Sequence, residues 1–157
     1  MPPDLLTIGY EGCVIDGVLT TLRGARVDLL IDVRAVAASR KPGFSKRQLA
    51  AGLAQVGIGY VHLQRLGTPK PGRDAVRAGH PERMVPIFNA HMETPEAQWA
   101  LAEAKVMAAE RRCCLLCFER DHHHCHRHLV AEMIVAETGQ TVDHLEVPFQ
   151  GPATLFS

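Results

Sequence analysis

The stretch CCLLCFERDHHHCHRHLVAEMI, residues 113–134, decides how the rest of the chain is interpreted. It begins with a short apolar run of the kind that forms a strand buried on both faces. A polar segment rich in cysteine and histidine follows, and from residue 126 the pattern becomes that of an apolar helix. The stretch therefore predicts a buried strand whose end carries reactive side chains into the start of a helix.

The same alternation extends outward in both directions. Short apolar runs predict further strands at residues 4–9, 27–33, 58–63 and 142–147, and helical patterns lie at 15–24, 45–56, 95–111 and 126–138. Thr94 and Pro95 mark one helix start, Ser45 another, and Gly57 and Gly139 stand where helices should end. Residues 64–80 are rich in Gly and Pro, which predicts a loop. The fold class is α/β, a single three-layer domain with a mostly parallel central sheet flanked by helices.

The length of 157 residues suits one domain, so residues 1–157 are interpreted as a single α/β unit. No apolar run approaches the roughly 20 residues that span a bilayer, and the start of the chain lacks a basic signal region. We therefore expect a cytoplasmic protein without membrane contact. Its five cysteines are an odd number without disulfide-framework spacing, which favours free thiols.

Net charge is formally zero, but the charges are unevenly distributed. Between Val33 and Arg73 there are eight Lys or Arg residues and no Asp or Glu, whereas twelve acids lie between Asp74 and Glu146. Such a segment either attracts an anion locally or forms a solvated basic face.

A first group of candidate residues follows the second predicted strand. Two arginines, two serines and a helix start form a forked site for an anion, with an aspartate that orients one arginine. The alternative is that Asp32 and Arg34 only pair with each other at the sheet edge. The ligand-binding candidates here are Asp32, Arg34, Ser39 and Arg40.

A second group follows the fourth predicted strand. Cys125 stands at a helix start beside Arg127, and both the helix dipole and the guanidinium favour its nucleophilic thiolate form. Glu119 is a candidate base or arginine partner, and Cys117 is the rival nucleophile. Tyr10, His126 and Arg127 complete the ligand-binding candidates at this edge. His126 can alternatively be a buried residue that only caps the sheet.

The cysteines and histidines also raise the question of a metal. Cys117, Cys125 and His126 are soft ligands for zinc or another transition metal, but the paired spacing of structural zinc sites is absent. The sequence therefore predicts no cofactor and keeps these three residues as a weaker metal alternative.

Two classes of function follow. The first is an enzyme whose thiolate or carboxylate acts on an anionic ligand, phosphate- or nucleotide-containing, held by arginines. The second is a non-catalytic module that binds a nucleotide or nucleic acid through the same arginines. Oligomeric state is left open by the sequence.

Several ordered motifs resemble the domain-of-unknown-function family 488: TIGYEG at 7–12, IDVRAVAASRKPGFSKRQLAAGL at 31–53, GIGYVHLQRLG at 57–67 and LLCFERDHHHCHRHLVAEMI at 115–134. The resemblance implies an α/β fold without a settled activity. It selects as site residues Tyr10, Asp32, Arg34, Ser39, Arg40, Phe44, Gly67, Cys117, Glu119, Cys125, His126 and Arg127. The usual proline before the Ser-Arg pair is replaced here by VAAS at 36–39.

A more distant analogy links the chain to rhodanese-like and cysteine-phosphatase domains. Their phosphatase loop requires Cys-x5-Arg, and the sixth position after Cys117 is His123, which argues against phosphatase chemistry. A rhodanese-like sulfur carrier that uses Cys117 remains the alternative function.

Overall fold

A computed structural model describes residues 3–148 and shows one sheet of five strands, all parallel. The strands are β1 (Leu5–Gly9), β2 (Leu29–Asp32), β3 (Gly59–His62), β4 (Cys113–Cys117) and β5 (Val142–Leu145). Their order across the sheet is β3-β2-β4-β1-β5, which places β4 at the centre. The predicted parallel α/β fold is confirmed.

Six helices cover the two faces of the sheet. They are α1 (Ile15–Gly24), α2 (Lys46–Gln55), α3 (Lys70–Arg77), α4 (Pro81–Met92), α5 (Pro95–Glu110) and α6 (His126–Thr138). Alternate residues of each buried strand point to opposite faces. Leu115 therefore packs in a cluster with Phe88 and Ile134, whereas Leu116 packs in a second cluster with Leu22. The first cluster contains α4, α5 and α6, and the second contains α1 and α2, so the domain has three layers.

The helix boundaries follow the predicted capping residues. The Thr94 hydroxyl accepts a hydrogen bond from Ala97 N at 3.3 Å, and Gly139 ends α6 in the left-handed conformation at φ 72°. Ser45 precedes α2 as predicted, but its hydroxyl donates to Ser39 O instead of capping the helix. No helix within residues 3–148 is long and apolar enough to cross a membrane.

The predicted loop at 64–80 is wrong, because residues 70–77 form α3 after a short 3-10 turn at Gln64–Leu66. Pro71 is accommodated in the first turn, where a helix needs no backbone N–H. Gly72 allows α3 to approach Thr68, since a Cβ at position 72 would overlap the Thr68 methyl group. The Gly and Pro content therefore reflects helix start and close packing. The sequence interpretation also missed α4, which has Pro81 at its start and Pro86 inside it.

Candidate active site

A cavity of about 940 Å³ lies at the carboxyl edge of the sheet. Parallel strands bring their carboxyl ends to one edge, which is where α/β proteins bind ligands. Both predicted groups of residues contribute to the cavity wall. The predicted residues on the wall are Tyr10, Arg34, Ser39, Cys117, Glu119 and His126.

Two thiols and one imidazole meet at this edge. Cys117 ends β4, Cys125 is the residue before α6, and His126 is the first residue of α6. The His126 Nδ1 atom lies 3.6 Å from Cys117 Sγ and 3.9 Å from Cys125 Sγ. All three side chains are buried, but Cys117 and His126 border the cavity, whereas Cys125 lies behind them and is 0% exposed. Cys117 therefore carries the sulfur that a ligand in the cavity meets.

The hydrogen bond on the other side of the ring determines the proton position on His126. Its Nε2 atom lies 2.8 Å from the carbonyl oxygen of Val33, which can only accept. Nε2 therefore carries a proton, and Nδ1 of the neutral ring presents its lone pair to the two thiols. His126 is thus oriented to accept a thiol proton.

The two thiols differ in acidity. Burial raises the pKa of Cys125, but hydrogen bonds from Cys117 and His126 and the charges of His126 and Arg127 lower it further, so that the net pKa lies well below the ordinary value. The pKa of Cys117 is raised, first by its hydrogen bond to Cys125 and then by burial. Burial lowers the pKa of His126, but its hydrogen bond to Cys125 and the charge of Cys125 raise it further, so the Cys125 proton moves to His126 Nδ1 and Cys117 keeps its own proton.

Glu119 adds a carboxyl group to the same wall. Burial and the negative charge of Cys125 raise its pKa to about 7. A carboxyl group with this pKa can give or take a proton near neutral pH, as general acid–base catalysis requires.

Arg34 is largely committed to internal contacts. Its Nε donates to Asp32 Oδ1 at 2.9 Å and its NH2 to Asp32 Oδ2 at 2.7 Å, while NH1 donates to Tyr10 Oη at 3.0 Å and Phe44 O at 2.8 Å. Tyr60, which the sequence interpretation missed, also donates to Asp32 at 2.7 Å. The predicted alternative, in which Asp32 and Arg34 pair at the sheet edge, describes the observed contacts.

The loop after Arg34 is held by its serines. Ser39 N donates to Ser45 Oγ at 3.0 Å, and Lys41 N donates to Ser39 Oγ at 3.1 Å. Phe44 is fully buried and stacks on the Tyr10 ring with 4.4 Å between centroids. Arg40 is exposed and lies outside the cavity wall. The loop therefore brings Ser39 to the cavity and leaves Arg40 away from it.

Arg127 is 1% exposed and holds the β4–α6 connection in place. Its guanidinium donates to Thr7 Oγ1 at 3.2 Å and to the carbonyl oxygens of Glu119 and Arg120. Gly9 lies against the same connection, and a Cβ at this position would overlap the Glu119 carbonyl. Arg127 and Gly9 thus fix the backbone from which the Glu119 side chain reaches the cavity.

The cavity also contains residues that were not predicted as ligands. Arg73 and Arg77 reach it from α3, and Thr68 lies at the base of that helix. The sequence analysis counted Arg73 in the basic segment but assigned this region to a loop. The i, i+4 spacing that places Arg73 and Arg77 on one helix face was therefore not recognised. Gly67 packs against Ala35 so closely that a Cβ would overlap its backbone, which joins this region to the Arg34 loop.

The thiols and the imidazole can also serve as metal ligands. Their ligand atoms lie within 4.8 Å of one another. Zinc with bonds of about 2.3 Å to sulfur and 2.0 Å to nitrogen needs S···N separations of about 3.5 Å, close to those between Cys117, Cys125 and His126. The Val33 carbonyl on the other ring nitrogen is also typical of metal-binding histidines. The donor set therefore fits a soft divalent metal.

The fold and this edge define an α/β protein with a cysteine–histidine site at the carboxyl ends of its strands. The family model described as "Domain of unknown function DUF488" matches residues 14–134, and the chain belongs to this family. No curated protein matches the chain. No solved structure matches it either.

Proposed function

We propose that this protein is an enzyme that acts on a small anionic substrate in the cavity, with Cys117 as its nucleophile. The observation that carries the proposal is the position of Cys117 Sγ, 3.6 Å from His126 Nδ1 and on the cavity wall. A thiol beside a base that is itself oriented by a third group is the arrangement of an activated nucleophile. Here the third group is the Val33 carbonyl.

The reaction can be written with the protons assigned. Cys117 loses its proton to the Cys125 thiolate, and its sulfur electron pair forms a bond to an electrophilic acyl or phosphoryl centre of the substrate. The bond to the leaving group breaks, and protonated Glu119 gives that group its proton. Water then attacks the covalent intermediate, ionised Glu119 takes a proton from it, and the thiolate is released.

The charges on the wall support an anionic substrate. Three acids border the cavity besides Glu119, and each faces a protein partner: Glu11 accepts from Arg120 N at 3.0 Å, Glu82 faces His80 at 3.4 Å, and Asp121 accepts from His123 N at 2.9 Å. The Arg77 guanidinium makes no hydrogen bond or ion pair within residues 3–148. The wall arginines that pair with no carboxylate within residues 3–148 are Arg73 and Arg77, so the charge that could hold an anion comes from α3 and not from Arg34 and Arg40 as the sequence suggested.

A second candidate function is catalysis by a bound metal ion. It is favoured by the S···N distances of the Cys117, Cys125 and His126 cluster. The metal would act as a Lewis acid at the cavity wall, and the thiols would then be its ligands. Metal content after expression in zinc-supplemented medium separates the two candidates. One equivalent of metal in the wild-type protein that is lost in Cys125→Ser would support the metal site and contradict the nucleophile proposal.

The sulfur-carrier alternative also uses the cavity-facing sulfur of Cys117, which would hold a persulfide. Mass spectrometry of the native protein after incubation with a sulfane-sulfur donor tests it, because a gain of one sulfur atom at Cys117 is required. The free state of all five cysteines agrees with a reducing compartment, and we propose the cytoplasm.

Turnover tests the enzyme proposal directly. The wild-type protein is incubated with panels of phosphate esters, nucleotides and acyl thioesters, and products are followed by NMR. Turnover should disappear in Cys117→Ser and persist in Cys113→Ala, a matched change at the other end of β4. Equal turnover in the two variants would exclude Cys117 as the nucleophile. Product from none of the panels would contradict the enzyme proposal and leave a binding module for nucleotides or nucleic acid.

A further inference from the structure

Thr68 presents a polar group that the protein leaves without a partner. The residue is 3% exposed and lies on the cavity wall, yet its Oγ1 atom has no hydrogen-bond partner within the described residues 3–148. Buried hydroxyl groups in native proteins are almost always hydrogen-bonded. A group of this kind at a cavity marks a place where a ligand atom supplies the missing bond.

The local packing explains why this hydroxyl is not turned toward a protein acceptor. The Thr68 methyl group lies against Gly72, so that α3 fixes the orientation of the side chain. Arg73, one residue further along α3, donates from NH1 to the Thr68 carbonyl oxygen at 2.9 Å. The backbone contact holds the Arg73 guanidinium beside Thr68 and leaves its other N–H groups available.

Arg77 lies one turn after Arg73 on the same face of α3. Lys70 and Asp74 lie beside these arginines on α3, but they pair with each other at 2.9 Å and do not line the cavity. Arg77 is exposed, and no acceptor within residues 3–148 receives a hydrogen bond from it. The helix therefore brings two guanidinium groups to the cavity wall that Thr68 also lines.

We propose that Thr68, Arg73 and Arg77 form the subsite for a phosphoryl group of the substrate. Two planar guanidinium forks and a hydroxyl match the several acceptor oxygens of a phosphate better than the two of a carboxylate. The subsite deepens the proposed function and rests on the cavity being the place where the substrate binds. It lies on a different element from the reacting sulfur, so the phosphoryl group is held by α3 while another part of the substrate reaches Cys117.

Binding of inorganic phosphate to the full-length protein tests the subsite without turnover. Titration calorimetry at constant ionic strength should show saturable phosphate binding and markedly weaker binding of acetate. Thr68→Val and Arg77→Gln should each weaken phosphate binding by about tenfold, the effect of one lost charge-assisted hydrogen bond. Thr68→Ser should retain most of the affinity because it keeps the hydroxyl. Lys70→Gln on the same helix is the matched control and should bind as the wild type does.

The outcomes separate this proposal from the enzyme proposal. Phosphate binding that depends on Thr68 and Arg77, without any turnover, would support the subsite and contradict the enzyme. Turnover lost in Cys117→Ser, together with unchanged phosphate binding in Thr68→Val and Arg77→Gln, would overturn the subsite alone. Equal weakening by Lys70→Gln or equal affinity for acetate would also overturn it, because the effect would then be general electrostatic attraction. Failure of wild-type phosphate binding overturns it outright.

Discussion

His126 joins the start of α6 to the end of β2, because its Nε2 atom donates to the Val33 carbonyl oxygen at 2.8 Å. This bond leaves Nδ1 for the two thiols, so the ring acts on the acidity of Cys125 together with the Cys117–Cys125 hydrogen bond. We expect iodoacetamide at pH 7 to label Cys117 faster than Cys113, because Cys117 borders the cavity and can pass its proton to Cys125, whereas burial raises the pKa of Cys113 to about 11. His126→Asn should slow the labelling of Cys117 by about tenfold or more. Peptide mass spectrometry of the native protein measures both rates.

Cys125 is the matched comparison in that experiment. It is 0% exposed and lies behind the wall, so that it should react more slowly than Cys117 in spite of its lowered pKa. Faster labelling of Cys125 would assign the nucleophile to that residue, as the sequence pattern alone suggested.

Glu119 should make stability depend on pH with a definite sign. Its folded-state pKa is raised from 4.5 to about 7, so its contribution to stability is present below pH 4.5 and is lost as pH rises through 7. Glu119→Gln removes this loss. The variant should therefore gain free energy of unfolding relative to the wild type between pH 5 and pH 8. The expected gain is about 2 kcal/mol, below the full value of the shift because the carboxyl group is partly exposed. Urea unfolding at the two pH values measures it, and a pH-independent difference would contradict the assignment.

Thr68→Val should stabilise the phosphate-free protein by about 1 kcal/mol, because the replacement removes a buried hydroxyl that has no partner. Thr68→Ser should instead lower stability, since it keeps the hydroxyl and loses the methyl contact with α3. Urea unfolding in phosphate-free buffer distinguishes these results. A loss of stability in Thr68→Val would mean that the hydroxyl already has a partner.

Arg34→Met should cost about 3–5 kcal/mol of folding free energy, because it leaves the buried Asp32 carboxylate without its cation. The double change Asp32→Asn with Arg34→Met should recover part of this loss. Arg40→Met, in an exposed position of the same loop, should change stability by less than about 0.5 kcal/mol. A loss for Arg34→Met as small as that expected for Arg40→Met would show that Arg34 is not a structural residue.

The fold was predictable because its signals are local. The apolar runs and the Thr94, Pro95 and Gly139 boundary signals fixed most elements within a few residues, and parallel strands then required one polar edge. The commitment of Arg34 was not predictable, because it depends on Tyr10 and Phe44, which are distant in sequence. Thr68 gave no signal at all, since a missing hydrogen bond exists only in the packed structure. The family resemblance also selected Arg127 and Phe44. Both residues are buried and hold neighbouring segments of the site in place.

The central strand β4 ends at the proposed nucleophile, whereas the arginines of the proposed phosphoryl subsite lie on α3. The two proposed tasks therefore belong to separate elements. Cys117, the proposed nucleophile, ends a strand held on both sides by β1 and β2, so its sulfur has little freedom to move. The proposed phosphoryl contacts come from α3, a short helix at the rim of the cavity that packs beside Met84 and Ile87 of α4. If both proposals hold, substitutions along α3 should change ligand preference and leave the chemistry at Cys117 intact. For protein engineering, this helix is the natural segment to randomise.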